Sequence, residues 1–161
     1  SPFISGMALV PGAVFLSVLN PLTGKLADRL GFKRVLLIGM TMILVGWGIL
    51  VLIPGTVALW GMMPIAMLIE GGNAFVMMPA VTLGADALPK QQLSHGTAVI
   101  TTMRQLLGST GVAVATLLLS LHGGTASLAG FHLVFIVFFV LELIGLGLAL
   151  SLKEHRVAMA A

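Results

Sequence analysis

Long apolar runs, separated by short charged or glycine- and proline-containing stretches, organise this chain. No charged residue occurs in residues 1–24 or 35–69, and the charged stretch Gly24–Arg34 lies at the boundary between these runs. A helix needs roughly 20 apolar residues to cross a bilayer core about 30 Å thick. Five segments satisfy this requirement, so we expect transmembrane helices at residues 5–22, 35–53, 59–83, 94–121 and 131–152. The hydrophobic pattern predicts an all-α membrane protein.

The composition argues against a water-soluble domain. The chain is 58% apolar and 8% charged, with a mean hydropathy of +1.14, whereas soluble domains are about 25% charged. Its net charge of +3 comes from scattered basic residues, not from a nucleic-acid-binding patch. The sequence has no cysteine, phosphate-binding loop, Ser-His-Asp set, paired-carboxylate site or histidine pair at metal-ligand spacing. We therefore expect no enzymatic activity, no cofactor, no metal and no nucleic-acid partner.

Basic residues collect on one side of the predicted bundle. Short turns make consecutive helices antiparallel neighbours, so the first loop, the third loop and the C-terminal tail share a side. That side holds seven of the eight basic residues, namely Lys25, Arg29, Lys33, Arg34, Lys90, Lys153 and Arg156. The turns on the other side, at residues 54–55 and 123–124, hold none. Because Lys and Arg favour cytoplasmic loops, we expect the charged loops and the C-terminus to be cytoplasmic.

The stretch Gly24–Arg34 combines glycines and charges in a distinctive order, and the pattern predicts a short loop between two helices. Glycine permits a tight turn and close helix approach, and Asp28 is suited to capping or pairing with the start of the next helix. One interpretation is a basic loop that only anchors the topology. The order Gly-x-Leu-Ala-Asp-Arg-x-Gly-x-Lys-Arg, however, resembles the loop signature of the major facilitator superfamily.

This resemblance implies a role in gating. In that family the motif forms a charge network that holds the cytoplasmic side closed in the outward-facing state. The implied gating-loop residues here are Gly24, Asp28, Arg29, Gly31, Lys33 and Arg34. The family carries the motif after its second helix and again after its eighth. Only four predicted helices follow the motif in this chain, so it resembles the second copy, with the N-terminal half expected upstream.

Further patterns are similar to the fourteen-helix drug:proton antiporters, which include multidrug and lincomycin-resistance-like exporters. The similar patterns are Pro11-Gly12, Asn20-Pro21-Leu22, Gly96-x-Ala98 and Arg104-Gln105-x-x-Gly108-x-x-Gly111. The resemblance implies part of a C-terminal transmembrane bundle, in a bacterial plasma membrane, that exports amphipathic small molecules in exchange for protons. An uptake carrier of the same superfamily and a non-transporting helical membrane module are the alternatives.

Three charged residues fall inside predicted helices, where a charge costs at least about 2.5–3.5 kcal/mol and usually faces the bundle or a water cavity. Glu70 shares a helix face with a methionine-rich stripe, which consists of Met63, Met67, Ala74 and Met77. Flexible methionines suit a surface that accepts differently shaped apolar ligands. Met67, Glu70 and Met77 are therefore candidates for a cavity wall with a carboxyl that binds a proton or a cation. Helix packing with a structural partner for Glu70 is the alternative.

The other two charged residues inside predicted helices are Arg104 and Glu142, and each has more than one possible interpretation. Arg104, followed by Gln105, lies on a face of small residues that favours close packing in lipid, with a partly snorkelling arginine. Alternatively, Arg104 pairs with Glu70 across a cavity, which would lower the cost of both charges. Glu142 lies midway along the last helix, which the resemblance makes peripheral. We expect it to pack against a neighbouring helix or against the extra helices of the fourteen-helix type.

Overall fold

The computed structural model describes residues 2–53, 59–86, 88–123 and 127–151. They form five α-helices, namely α1 (Pro2–Leu30), α2 (Phe32–Leu52), α3 (Leu59–Asp86), α4 (Leu93–Leu121) and α5 (Leu128–Ser151), and a 3-10 turn at Lys90–Gln92. Within these ranges there is no β-strand. The predicted all-α fold with five helices is confirmed. The turn predicted at residues 54–55 and the charged tail at residues 153–156 lie outside the described residues.

In the part of the chain that the structure describes, four helices are long and apolar enough to cross a membrane, namely Phe32–Leu52, Trp60–Thr82, Ser94–Leu121 and Leu128–Ser151. The first predicted span, residues 5–22, lies within α1 and stays a prediction. Large apolar side chains point away from the protein along the described helices, including Leu52 and Leu107, which are 81% and 71% exposed. Apolar surface on this scale fits lipid and not water. The chain is therefore an integral membrane protein.

The loop predicted over residues 24–34 is wrong, because helix α1 continues to Leu30 and α2 begins at Phe32. Gly31 alone separates them, and its φ of 90° and ψ of 142° are accessible mainly to glycine. The N–H of Gly31 still donates to the carbonyl of Ala27 at 2.9 Å, so α1 ends directly at the turn. A helix of 29 residues is about 43 Å long. It exceeds the bilayer core and carries the first part of the charged motif on its end.

Helix α3 is the central element, because it packs closely against both α1 and α2. Small residues make the α2–α3 approach close. A Cβ added to Gly39 would lie 2.6 Å from the Cβ of Phe75 and 2.7 Å from the carbonyl oxygen of Gly72. The residues of α2 that are buried at spacings of four, four, three and four form one helix face, namely Val35, Gly39, Ile43, Gly46 and Leu50. Close backbone approach through glycine is how membrane helices gain packing energy without a hydrophobic driving force.

Helix α5 lies antiparallel to α2, and polar contacts join the two helices at both ends. Lys33 Nζ donates to the carbonyl oxygen of Leu150 at 3.0 Å, and His132 Nε2 lies 2.7 Å from the carbonyl oxygen of Val51. Between these ends, the ring of Trp47 stacks on Phe138 with centroids 5.3 Å apart. The Lys33 contact supplies a hydrogen-bond donor to a carbonyl in the last turn of α5, which has no partner within its own helix. A cation is also favoured there by the helix dipole.

Substituting Gly39 by alanine tests the close α2–α3 contact. The added Cβ meets the Phe75 Cβ and the backbone of Gly72, and relieving such overpacking costs about 1–3 kcal/mol. We expect a lower melting temperature for full-length Gly39→Ala protein in detergent. Gly147→Ala is the matched control, because a Cβ there has no neighbour within 4 Å and alanine favours the helix. Equal melting temperatures for the two variants would contradict this packing.

Substituting Lys33 by methionine tests the α2–α5 end contact. Methionine keeps much of the apolar stem but removes the donor to the Leu150 carbonyl, which costs on the order of 1 kcal/mol. Thermal unfolding of the full-length protein is expected to shift to lower temperature. The control is Arg34→Met, since Arg34 is exposed and carries the same charge one residue away. An equal loss in both variants would show that net charge, and not this contact, sets the stability.

Candidate functional site

The charged motif divides into one side chain that binds within the bundle and several that face outward. Lys33 is half-buried and bonded to α5, whereas Asp28, Arg29 and Arg34 are exposed. Among the described residues, Asp28 and Arg29 form no ion pair with each other or with another side chain. The structure therefore presents Asp28 and Arg29 on the end of α1, next to the Gly31 turn. Their predicted gating role stays a prediction.

Gly24 differs from Gly31 in its local structure. It lies within α1 as a helical residue, and a Cβ added there would have no neighbour within 4 Å. The tight turn expected of the two motif glycines is therefore confirmed at Gly31, and Gly24 neither turns the chain nor accommodates a close contact among the described residues.

A polar seam runs between α1 and α3, and Glu70 is part of it. A Cβ on Gly12 would lie 3.1 Å from Cγ of Glu70 and 3.4 Å from the carbonyl oxygen of Ala66. Glycine at this position of α1 thus leaves room for the stem of the Glu70 side chain. Helix α1 continues through both Pro11 and Pro21. Glu70 faces a packed helix partner instead of lying alone in lipid.

Two further polar side chains lie on the α1 side of this seam. Thr23 is fully buried, and its Oγ1 lies 2.9 Å from the carbonyl oxygen of Asn20 and 3.2 Å from that of Ala74 across the seam. The amide oxygen Oδ1 of Asn20 is buried and has no hydrogen-bond partner among the described residues. A buried acceptor without a donor costs about 1–3 kcal/mol. Along its length the seam thus carries the carboxyl of Glu70, the hydrogen-bonded hydroxyl of Thr23 and the amide oxygen of Asn20, which can accept a hydrogen bond.

The methionine-rich stripe of α3 follows the seam. Ala74 is fully buried against Thr23, and Met67 and Met77 are half-buried on the same helix face. At Glu70 and Ala74 the stripe contacts α1, so this part of it is an interhelical face. Met67 and Met77 keep part of their surface exposed. Their predicted contribution to a cavity wall stays a prediction.

Arg104 and Gln105 lie apart from the seam on α4, and both are exposed. No residue of α4 with a described side chain is buried. In the described ranges no ion pair joins Arg104 to Glu70, so the structure does not bring these two candidates together. Nearer the start of α4 there is an open groove of about 600 Å³, which is lined by Ser94, Thr97, Ala98, Thr101 and Thr102. This end of α4 therefore presents hydroxyl groups below Arg104.

Sequence reasoning did not identify Asn20 and Thr23 as site residues. The signal was present, because both are polar side chains at the end of an apolar run, three residues apart and hence on one helix face. In the sequence, Asn20-Pro21-Leu22 served only as a pattern of the family resemblance. What the sequence could not provide was the partner, because the contact of Thr23 with Ala74 joins residues 51 positions apart.

Comparisons with known proteins agree with this fold. The sequence model of the Major Facilitator Superfamily matches residues 1–159. The chain is 34% identical over 163 residues to "Uncharacterized MFS-type transporter YcnB" of Bacillus subtilis, and this alignment covers 96% of the chain and 34% of that protein. It is 35% identical over 119 residues to "Lincomycin resistance protein LmrB" of Listeria monocytogenes, covering 73% of the chain and 25% of that protein.

A third relative is the "Multidrug resistance protein B homolog" of Mycobacterium tuberculosis, with 27% identity over 131 residues, 74% of the chain and 23% of that protein. No solved structure matches the chain. The chain spans about a third of YcnB and about a quarter of the other two relatives. The superfamily match covers almost the whole chain and agrees with its five helices, four of them suited to spanning a membrane. The chain belongs to the major facilitator superfamily.

Proposed function

We propose that this chain forms the C-terminal part of a secondary transporter that exports drugs or other small amphipathic molecules from a bacterial cell in exchange for protons. Superfamily membership supports transport instead of enzymatic catalysis. Drugs are favoured as substrates because the names of two relatives refer to lincomycin resistance and multidrug resistance. The observation that carries the coupling part of the proposal is the position of Glu70 in the seam between α1 and α3.

Glu70 has the surroundings that a coupling carboxyl needs. Its stem contacts Gly12 of α1, and no described basic side chain pairs with it. An acidic side chain within a membrane helix usually faces the bundle interior and marks an ion or proton pathway. A cationic group of a substrate would offset the charge of the ionised form. Proton and cationic substrate therefore compete for the same carboxyl, so that binding of one releases the other.

The seam also offers a way to link this exchange to movement. Alternating access moves helical bundles around a site near the middle of the membrane. Because the Glu70 stem fills the space left by Gly12, a change in its charge acts directly on the contact between α1 and α3. Asn20 adds an unpaired acceptor on the same side, which suits a hydroxyl or amide group of a substrate. Met67 and Met77 supply adaptable apolar surface next to it.

The charged motif would act as the cytoplasmic latch of this transporter. Asp28 and Arg29 lie exposed at the end of α1, where partners from outside the described residues can reach them. The Lys33–Leu150 contact brings the α1–α2 turn and the end of α5 to the same side of the bundle. This arrangement supports a cytoplasmic location for the motif and the C-terminus in the bacterial plasma membrane, because it groups the basic residues on one side.

Helix α4 would meet the remainder of the protein. Its apolar side chains are exposed, as are Arg104 and Gln105, and the chain spans only about a third of a relative that it matches along nearly its whole length. We infer that the missing N-terminal half of the same chain covers this face. The exposed position of Arg104 on α4 supports a role at that junction, where it would contact the translocation pathway or an acidic partner.

Replacing Glu70 by glutamine tests the coupling role in full-length protein. Glutamine keeps the shape of the side chain but cannot exchange a proton, so export of ethidium and of lincomycin from cells is expected to fall to the level of cells that lack the transporter. Glu142→Gln is the matched control, because it removes the other carboxyl within an apolar helix and should leave export intact. Normal export by Glu70→Gln would contradict the coupling role, and no export by the unaltered protein would contradict the substrate class.

Replacing Asp28 by asparagine tests the latch. The side chain keeps its size and loses its charge, so the interaction that favours the conformation with the cytoplasmic side closed is weakened. We expect export to fall roughly tenfold at unchanged amounts of protein in the membrane. Lys25→Gln serves as the control, because Lys25 is also exposed and charged but is not one of the residues that define the motif. Export that is normal in Asp28→Asn, or reduced equally in both variants, would argue against a gating role for Asp28.

A further inference from the structure

Glu142 lies in the interface between α5 and α2. It follows Phe138 by four residues and precedes Gly145 by three, so all three share one helix face. Phe138 stacks on Trp47 of α2, and a Cβ on Gly145 would lie 3.0 Å from Cε of Met40 of α2. The intervening Glu142 therefore belongs to the face of α5 that contacts α2.

The carboxyl of Glu142 is partly enclosed and unpaired. Its Oε1 is buried and makes no hydrogen bond among the described residues. The surroundings on α2 are largely apolar, because residues 35–52 contain no charged side chain and their one hydroxyl, on Thr41, donates to the carbonyl oxygen of Leu37. An unpaired carboxylate in such a setting is strongly disfavoured relative to the neutral acid.

The titratable groups around this interface are distant or engaged elsewhere. On α2, Lys33 is bonded to the carbonyl of Leu150, eight residues or about 12 Å along α5 from Glu142. On α5 itself, His132 is ten residues or about 15 Å away and contacts Val51 at the other end.

Helix α4 is the other described helix packed on α5. Its titratable groups are His95 and Arg104, which are exposed; His122, which directly follows α4, lies against Gly130 near the start of α5. None of them forms an ion pair with Glu142 within the described ranges.

We propose that Glu142 is a proton-binding site of the α2–α5 interface, with a carboxyl that is neutral while the two helices are packed and ionised only when they separate. This site is independent of the exchange proposed for Glu70, because α5 packs on α2 and α4 whereas Glu70 faces α1. The consequence is a pH-dependent contact. Since the packed form holds a proton that the separated form releases, rising pH weakens the attachment of α5 to α2.

Carbodiimide labelling of the full-length protein in lipid nanodiscs tests the protonation state directly. Dicyclohexylcarbodiimide is apolar and reacts with protonated carboxyls. The acid hydrogen moves to a carbodiimide nitrogen, the carboxyl oxygen bonds to the central carbon, and an acyl shift to nitrogen gives a stable N-acylurea. Mass spectrometry of the peptide that contains Glu142 is expected to show this adduct at neutral pH. Labelling should fall about tenfold per pH unit once the carboxyl is mainly ionised. Absence of the adduct at every pH tested would overturn the proposal, because it would show a charged and paired carboxylate.

Thermal unfolding as a function of pH provides the second measurement. The unaltered protein is expected to lose stability as the pH rises above neutral, and Glu142→Gln should lose less, since its side chain has no proton to release. His132→Gln is the control for the other titratable group of the interface, because glutamine can still donate to the Val51 carbonyl. If Glu142→Gln retains the full pH dependence, or if His132→Gln abolishes it, the proton responsible is not on Glu142 and the proposal fails.

Discussion

The close approach of α3 to its two neighbours is the contact on which the rest of this structure depends. Gly39 and Gly72 bring the backbones of α2 and α3 together, and a side chain at Gly39 would collide with Phe75 and with the Gly72 carbonyl. Gly12 does the same for α1 at the position of Glu70. In lipid, where apolar side chains gain little by leaving the solvent, such contacts supply much of the packing energy. The small residues therefore position the polar ones.

The two carboxyls within the apolar helices occupy different settings for this reason. Glu70 lies at the α1–α3 seam beside Gly12, and Asn20 and Thr23 follow eight and eleven residues, or about 12 Å and 16 Å, further along α1. Glu142 lies at the α2–α5 interface among aromatic and apolar groups. The first seam carries further polar groups along its length, which fits the exchange that we propose for Glu70. The second offers no described polar partner, which suits a proton and a structural role. Helix packing thus places two chemically identical side chains in different surroundings, and we propose a different function for each.

Much of the fold could be predicted from the sequence, because membrane helices follow directly from apolar length. The five helices were found, but the loop proposed for residues 24–34 was wrong. Its residues Leu26, Ala27 and Leu30 are good helix formers, and Gly31 alone makes the turn. The charged residues predicted the end of the helix, but α1 continues through Asp28 and Arg29 to Leu30. Bilayer thickness limits the apolar run, whereas hydrogen bonding and glycine limit the helix.

The site was less predictable, because its contacts join residues distant in the chain. Glu70 stood out as a charge in an apolar run, but its neighbour Gly12 is 58 positions away, and the Thr23–Ala74 contact spans 51. The bond between Lys33 and Leu150, 117 positions apart, was equally invisible, so Lys33 was assigned to the gating motif alone. The Glu70–Arg104 pair, expected as an alternative from charge balance, is absent among the described residues because Arg104 lies exposed on α4.

Proton release on substrate binding tests the central claim about Glu70 most directly. Purified full-length protein in weakly buffered detergent is mixed with ethidium, and the pH of the solution is followed with an indicator dye. If substrate and proton compete for Glu70, the unaltered protein and Glu142→Gln acidify the solution, whereas Glu70→Gln does not. Undiminished acidification by Glu70→Gln would contradict the account, because the exchanged proton would then come from another group.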